Sequence, residues 1–352
     1  MTSLDFLIIV AGVQAGFLVA LVVLIVLTRW FWIRQRARME GPREGLRRAV
    51  EAWLRGAPVT AVVTQLRRLP AGMALDMLLH YAERLAPDAV GKLAMAVANQ
   101  SWARGIIAQG RSRHWWERLE AGRLLTVAGQ PRDAPLLLHL LADPHPAVVL
   151  AAIGALERVQ STALFAAILA RLPRLAPTVQ AYAAATLQRA RTSLTPVLAK
   201  YLAGQGGRQG LATYIDLAAR VTAPELREPL TALANHADME ARAAVARALA
   251  RYPHEDSVTA LTHLAADRAW QVRALAIQSL GRLQAPAVPA FLQGLRDSSW
   301  WVRLRAALAL MAAGPDGRNA LLRAEVGADV FARDMARLVL GLPTAALAEY
   351  QR

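Results

Sequence analysis

Asp267-Arg-Ala-Trp-Gln-Val-Arg-Ala-Leu-Ala-Ile-Gln-Ser-Leu-Gly281 and Asp297-Ser-Ser-Trp-Trp-Val-Arg-Leu-Arg-Ala-Ala-Leu-Ala-Leu310 are two copies of one pattern. Each opens on an aspartate, reaches a Val-Arg pair, and continues with small residues and leucines at helical spacing. Working outward from them, Arg118, Val149, Gln180, Leu211, Arg242, Arg273 and Arg303 align as one column with a period of about 31 residues. Three residues after each stand Ala121, Ala152, Ala183, Tyr214, Val245, Ala276 and Ala306, and four further on stand Leu125, Leu156, Leu187, Ala218, Leu249, Leu280 and Leu310. A small or β-branched residue with leucine one turn later is what a helix needs to stack on copies of itself. A fixed period in this range marks a solenoid.

Before each of these helices lies another apolar segment: 133–141, 162–172, 194–202, 224–234, 256–266 and 286–295. Two helices joined by a short polar turn make a hairpin that cannot bury its apolar face alone, so stacking must supply the core. Ser161, Thr222 and Asp316 precede helical patterns as expected N-caps.

The Asp, Val-Arg, Ala, Leu-Gly order resembles HEAT repeats, in the variant also found in phycobilisome-lyase-type proteins. The likeness spans roughly residues 112 to 325 and is clearest in the last three units and from Asp143 to Leu156. At Gln180 and Leu211 the Val-Arg pair is lost, and those units rest on the period. The resemblance implies an all-α, right-handed α-solenoid of helical hairpins, and it is specific for fold rather than function.

The chain begins differently. From Leu4 to Leu27 only Asp5 and Gln14 interrupt about 24 apolar residues, enough at 1.5 Å per residue to cross a bilayer core of roughly 30 Å. The expectation is one N-terminal transmembrane helix, not a cleaved signal peptide, because the basic residues follow the apolar run instead of preceding it. Arg29, Arg34, Arg36 and Arg38 come directly after it with Trp30, Phe31 and Trp32 at headgroup level. The positive-inside rule then sets the N-terminus outside and the repeats in the cytoplasm, at the inner membrane. The net charge is +15, and ten arginines against three glutamates between residues 29 and 68 hold nearly half of that excess. Anionic headgroups favour each such cation by about 1 kcal/mol near the surface, so these arginines are candidate lipid contacts. Gly12 and Gly16 form a small-xxx-small pair around Gln14, a candidate lateral association motif, since an amide in hydrocarbon seeks an interhelical hydrogen bond.

The expected organisation is a span at 4–28, a basic juxtamembrane segment at 29–48, degenerate helical repeats or a cap at 49–111, HEAT-like repeats at 112–326, and a closing helix and tail at 327–352. In the cap region, 45–54, 60–69, 75–85 and 89–98 carry helical apolar spacing punctuated by Pro58, Pro70 and Pro87.

Trp115, Trp270 and Trp300 share one column, with Trp116 and Trp301 in the next. Either each indole packs on the neighbouring turn, or together they form a protein-binding ridge, since Trp is enriched at interface hot spots. The arginine column with Asp267 and Asp297 has two readings as well: the resemblance to HEAT repeats implies an internal ladder tying unit to unit, and the basic charge allows a face for nucleic acid. The absence of cysteine removes thiol chemistry. Seven scattered histidines and the lack of any nucleophile-elbow, phosphate-loop or zinc-protease motif give no catalytic, metal or cofactor residues. The reading is therefore a membrane-anchored, non-enzymatic scaffold for a protein partner, an integral membrane protein of an envelope or polysaccharide-synthesis complex. The alternatives are a lyase-type enzyme on the same repeats, or a basic solenoid binding nucleic acid or anionic lipid.

Overall fold

A computed structural model describes residues 17, 21–26, 29, 41–205 and 210–343. Gly12, Gln14, Gly16, Arg34, Arg36 and Arg38 lie outside them, as does most of the expected span. Residues 17, 21–26 and 29 are helical with exposed side chains, and among the described residues no helix is long and apolar enough to cross a membrane. The described residues form helices and no strand.

Two compact units divide at Gly129. In the first, α1 (residues 41–54), α2 (Thr60–Leu66), α3 (Ala71–Ala82), α4 (Pro87–Val97), α5 (Ser101–Ala108) and α6 (Trp115–Ala128) follow one another through short turns. Alternate helices pack together: α2 on α4, α4 on α6, and α3 on α5. This is the stacking of a repeat protein, in a region where the repeat motif itself is not readable. Helix α5 has no counterpart among the expected segments, because Gly105 and Arg104 interrupt its apolar run.

The second unit carries the hairpins α7 (Ala134–Leu141) with α8 (Pro146–Ala155), α9 (Thr162–Arg171) with α10 (Pro177–Arg189), α11 (Arg191–Lys200) with α12 (Leu211–Val221), and α13 (Arg227–Ala232) with α14 (Met239–Leu249). It continues with α15 (Glu255–Leu264), α16 (Trp270–Arg282), α17 (Val288–Gly294), α18 (Trp300–Ala312), α19 (Gly314–Glu325) and α20 (Val330–Leu340). The second helix of each hairpin packs on the second helix of the next, from α8 through α10, α12, α14 and α16 to α18, while α7, α9 and α11 form a parallel layer.

The two sequence columns are the core of this arrangement. Leu156, Leu187, Ala218, Leu249, Leu280 and Leu310 are fully buried in this unit, and so are Ala152, Ala183, Val245, Ala276 and Ala306. Each buried leucine contributes about 2 to 3 kcal/mol by leaving water, and the small residue one turn earlier sets how near the neighbouring helix comes. Helix α14 is buried on almost every side, from Ala241 to Ala246 and at Ala248 and Leu249, as expected of a helix with neighbours before, behind and beside it.

Where the motif is lost, the geometry changes too. Residues Tyr201–Gln205 wind as a π-helix, and Gly204 and Gly210 take positive φ of 110° and 91°. A side chain at Gly210 would collide with the Pro173 ring. Tyr214, in place of the small column residue, instead sends its hydroxyl to the Leu169 carbonyl at 3.0 Å and packs edge-on against Tyr201.

The expected caps are corrected. Ser161 stands at the N-cap of α9 without a side-chain cap bond, Thr222 is the C-cap of α12 at φ 52°, and Asp316 lies inside the first turn of α19. Among the described residues, the side chains that accept from α-helix N-termini are Asp238, Asp329 and, through ring nitrogens, His145 and His254. Histidine is outside the usual capping set, which hid those two.

Candidate protein-docking surface

Where the motif is kept, the turn between the helices of a hairpin is built by one repeated set of bonds. Asp143, Asp267 and Asp297 each accept from the backbone N–H two residues on, at 2.8 Å in all three cases. The arginines reach back to two carbonyls of the same turn: Arg118 to Ser112 and Arg113, Arg242 to His236 and Ala237, Arg273 to Asp267 and Arg268, and Arg303 to Asp297 and Ser298. In the weaker unit the Gln180 amide donates to Leu175 O at 2.8 Å and Pro173 O at 3.4 Å, a neutral substitute for the missing guanidinium.

Forward along the repeat, Arg242 forms a bidentate pair with Asp267 (2.6 and 2.9 Å), and Arg273 with Asp297 (2.6 and 2.8 Å). These are fork-to-fork bonds with little solvent access, the strong class of charge-assisted pair. Burial pushes the Asp267 and Asp297 carboxylates up, but the facing guanidinium and the turn N–H outweigh it and hold both below the ordinary aspartate range. The paired arginines are raised, chiefly by the same bonds. The internal-ladder reading therefore describes Arg242 and Arg273, whose guanidiniums serve intramolecular carboxylates.

The ladder stops at Arg303. Gly327 stands 24 residues further on, the separation of Arg273 from Asp297, so the last turn lacks the carboxylate. The Arg303 Nε is buried without a hydrogen-bond partner, and the Phe331 ring lies 4.8 Å from the guanidinium carbon. That contact is a cation–π interaction in place of an ion pair.

The same turns place the tryptophans. Trp115, Trp270 and Trp300 are the first residues of α6, α16 and α18, where the backbone leaves the turn and the side chain has no preceding helical turn to lie on. Trp115, Trp116, Trp270, Trp300 and Trp301 are 40, 50, 41, 45 and 52% exposed. Half of each indole thus remains in water, which the turn-packing reading alone does not explain, since Trp is usually well buried. Neighbouring rings brace one another: Trp300 and Trp301 meet edge to face at 4.9 Å, Trp115 and Trp116 at 6.3 Å, and His114 stacks on Trp116 at 4.5 Å. Bracing lowers the rotamer entropy that a partner would have to remove. The first unit carries Trp115 and Trp116, the second Trp270, Trp300 and Trp301.

Arg29 is helical and exposed. Among the described residues no group of three or more His, Asp or Glu side chains is arranged to hold a metal ion.

Residues 263–340 match the family model described as HEAT repeats. Similar solved structures include an engineered protein (17% identity, 87% of this chain and 91% of that chain, TM-score 0.34) and YibA of E. coli (14%, 76% and 97%, TM-score 0.33). A chain of the Pds5–Scc1 complex is 13% identical, with 89% of this chain and 59% of that chain covered and a TM-score of 0.37. No curated protein matches the chain.

Proposed function

We propose that this chain is a membrane-anchored scaffold whose HEAT-like repeats, beyond the matched residues 263–340, hold a protein partner at the cytoplasmic face of the inner membrane. The observation that carries the reading is the contrast within one repeated turn. Its cations are turned inward on carbonyls and carboxylates, while its indoles stand half exposed and braced. Large, rigid, half-exposed aromatic groups are the usual anchors of protein interfaces.

The apolar run from Leu4 to Leu27 supplies the anchor, Arg29, Arg34, Arg36 and Arg38 meet anionic headgroups, and Gly12, Gln14 and Gly16 associate laterally with another span. The exposed apolar side chains of Phe17 and of residues 21–26 are of the kind that hydrocarbon, not water, solvates. A partner that is itself an integral membrane protein, such as one in an envelope or polysaccharide-synthesis complex, satisfies both the span and the repeats. The role is binding, without catalysis. The nucleic-acid alternative is weakened because Arg242 and Arg303 are buried and Arg273 is ion-paired.

The test is the triple variant Trp270→Ala, Trp300→Ala, Trp301→Ala of the full-length protein, purified in mild detergent. The expected result is a melt within about 1 kcal/mol of the parent and loss of the co-purifying membrane protein, since hot-spot indoles commonly contribute 2 kcal/mol or more to binding. A loss of about 3 kcal/mol of stability per indole would return these residues to a packing role. A stable variant that keeps its partner would remove the ridge.

A further inference from the structure

We propose that Arg303 is an open rung of the ladder, completed in trans by an aspartate or glutamate of the bound protein, whose carboxylate takes the place that Asp267 and Asp297 hold on Arg242 and Arg273. On one side the three arginines are used alike. Each sends Nη1 to two carbonyls of its own turn, at 2.7 and 3.0 Å in the case of Arg303. On the other side, Nε and Nη2 of Arg242 and Arg273 grip both oxygens of the next turn's aspartate. At Arg303 that edge meets no carboxylate among the described residues: its Nε is buried without a partner, and the contact on its face is the Phe331 ring.

The last hairpin keeps the frame of the rung and lacks its carboxylate. Thirty residues separate Asp267, Asp297 and Gly327 in turn, and the same step carries Trp300, Trp301 and Arg303 to Val330, Phe331 and Arg333. The apolar pair and the arginine are thus both present where the aspartate is not. The backbone does not ask for glycine there, since φ at Gly327 is not positive. A buried guanidinium N–H with no acceptor is a standing cost. A cation–π contact with one exposed ring offsets less of it than a fork-to-fork pair does.

The surroundings fit a carboxylate carried on a protein surface. Val326, Val330 and Phe331 are 84, 52 and 64% exposed, so the rung is rimmed by apolar side chains that the same partner would cover. With most of its ring in water, Phe331 can change rotamer about χ1 and leave the guanidinium edge to an incoming carboxylate. An apolar rim also disfavours phosphate, whose greater charge costs more to strip of water. Val330 and Phe331 continue the columns of Trp300 and Trp301, which sets the rung at the end of the indole ridge. The inference therefore rests on the scaffold reading and names the chemistry of the partner at that end.

The experiment uses the full-length chain in dodecyl maltoside and a fluorescein-labelled peptide of residues 290–302 of this chain, which carries Asp297 between apolar segments, read by anisotropy. Saturable binding is expected at about 0.1 mM protein, with the Asp297→Asn peptide weaker by roughly tenfold. Gly327→Asp in the protein supplies the carboxylate in cis and should weaken the parent peptide by roughly tenfold. Ala328→Asp adds the same charge at an exposed neighbour, away from the rung, and should change binding less than about twofold. Arg303→Gln should lose as much as Gly327→Asp; if it fails to fold, Gly327→Asp decides. Unchanged binding in Gly327→Asp would overturn the proposal, and equal losses in Gly327→Asp and Ala328→Asp would reduce the effect to bulk charge and overturn it too. So would equal binding of the two peptides, or no peptide binding, with or without saturable binding of inorganic phosphate in its place. If the tryptophan variant keeps its membrane protein while the peptide still binds at Arg303, the ridge fails and the rung stands; loss of the membrane protein with no peptide binding to the parent separates them the other way.

Discussion

Asp297 links three things with one carboxylate: the turn N–H of Ser299, the guanidinium of Arg273, and through them two successive hairpins. Replacing it with asparagine keeps the size and removes the charge. The half-buried Arg273 fork then loses its counter-ion, and a loss of about 2 kcal/mol in urea denaturation is expected. The pH dependence follows from the direction of the shift. Because the folded carboxylate is held below its unfolded value of about 4, its contribution is fully present above that value. It is lost as pH falls through the lower folded pKa. Melts from pH 7 down to pH 3 should therefore lose stability below about 4 in the parent and show a shallower acid limb in Asp297→Asn. Parallel acid limbs would mean that the pair contributes nothing net. The Asp-to-Arg register is legible in the sequence, since the residues recur at fixed offsets. The bidentate geometry is not, because it depends on how far the second hairpin is rotated against the first.

At the scale of the element, the last hairpin shows what a missing residue does. Gly327 holds the place of the turn aspartate, and Arg303 answers by lying under Phe331. Gly327→Asp should rebuild the rung and raise stability by about 1 kcal/mol, the net worth of a charge-assisted bond. A Cβ there meets Ala324 O at 3.2 Å, so the turn must yield slightly. An unchanged or lower melting temperature would show that Phe331 already satisfies the guanidinium. Helix positions were legible throughout this unit because each apolar segment carries its own 3.6-residue period. The irregular stretch around Tyr201–Gln205 was not. There a lost Val-Arg pair marked only the absence of the motif, and the π-helical turn that replaced it comes from packing against α9 through Tyr201 and Tyr214, whose hydroxyls reach Ala166 O and Leu169 O.

For the whole molecule, orientation in the membrane is the property on which the partner reading depends. With arginines after Leu27 and none before it, protease added to intact spheroplasts should leave residues 40–352 whole, and lysis should expose them. Digestion from outside would overturn both the orientation and the cytoplasmic partner. A salt-extractable protein would remove the anchor itself.

The amino-acid sequence by itself determined the all-helical class, the period and the identity of the core columns. Leucine and small residues at fixed helical offsets have one low-energy use, and every column residue of the second unit is buried. It marked the aspartates and arginines of the ladder by their fixed offsets, while the pairs Arg242–Asp267 and Arg273–Asp297 came with the stacking. Only the tertiary structure decided which side of each residue faces water. The tryptophans could have packed on the turns, and Trp115, Trp270 and Trp300 are half exposed because they stand at the first position of a helix, with no turn before them to cover the ring; Trp116 and Trp301 follow at the second. Arg273 and Asp297 stand 24 residues apart, and their bidentate contact forms only where two hairpins bring them together. Local periodicity encodes burial, whereas convergence of polar groups depends on the rotation and spacing between helices, and no single helix carries that information.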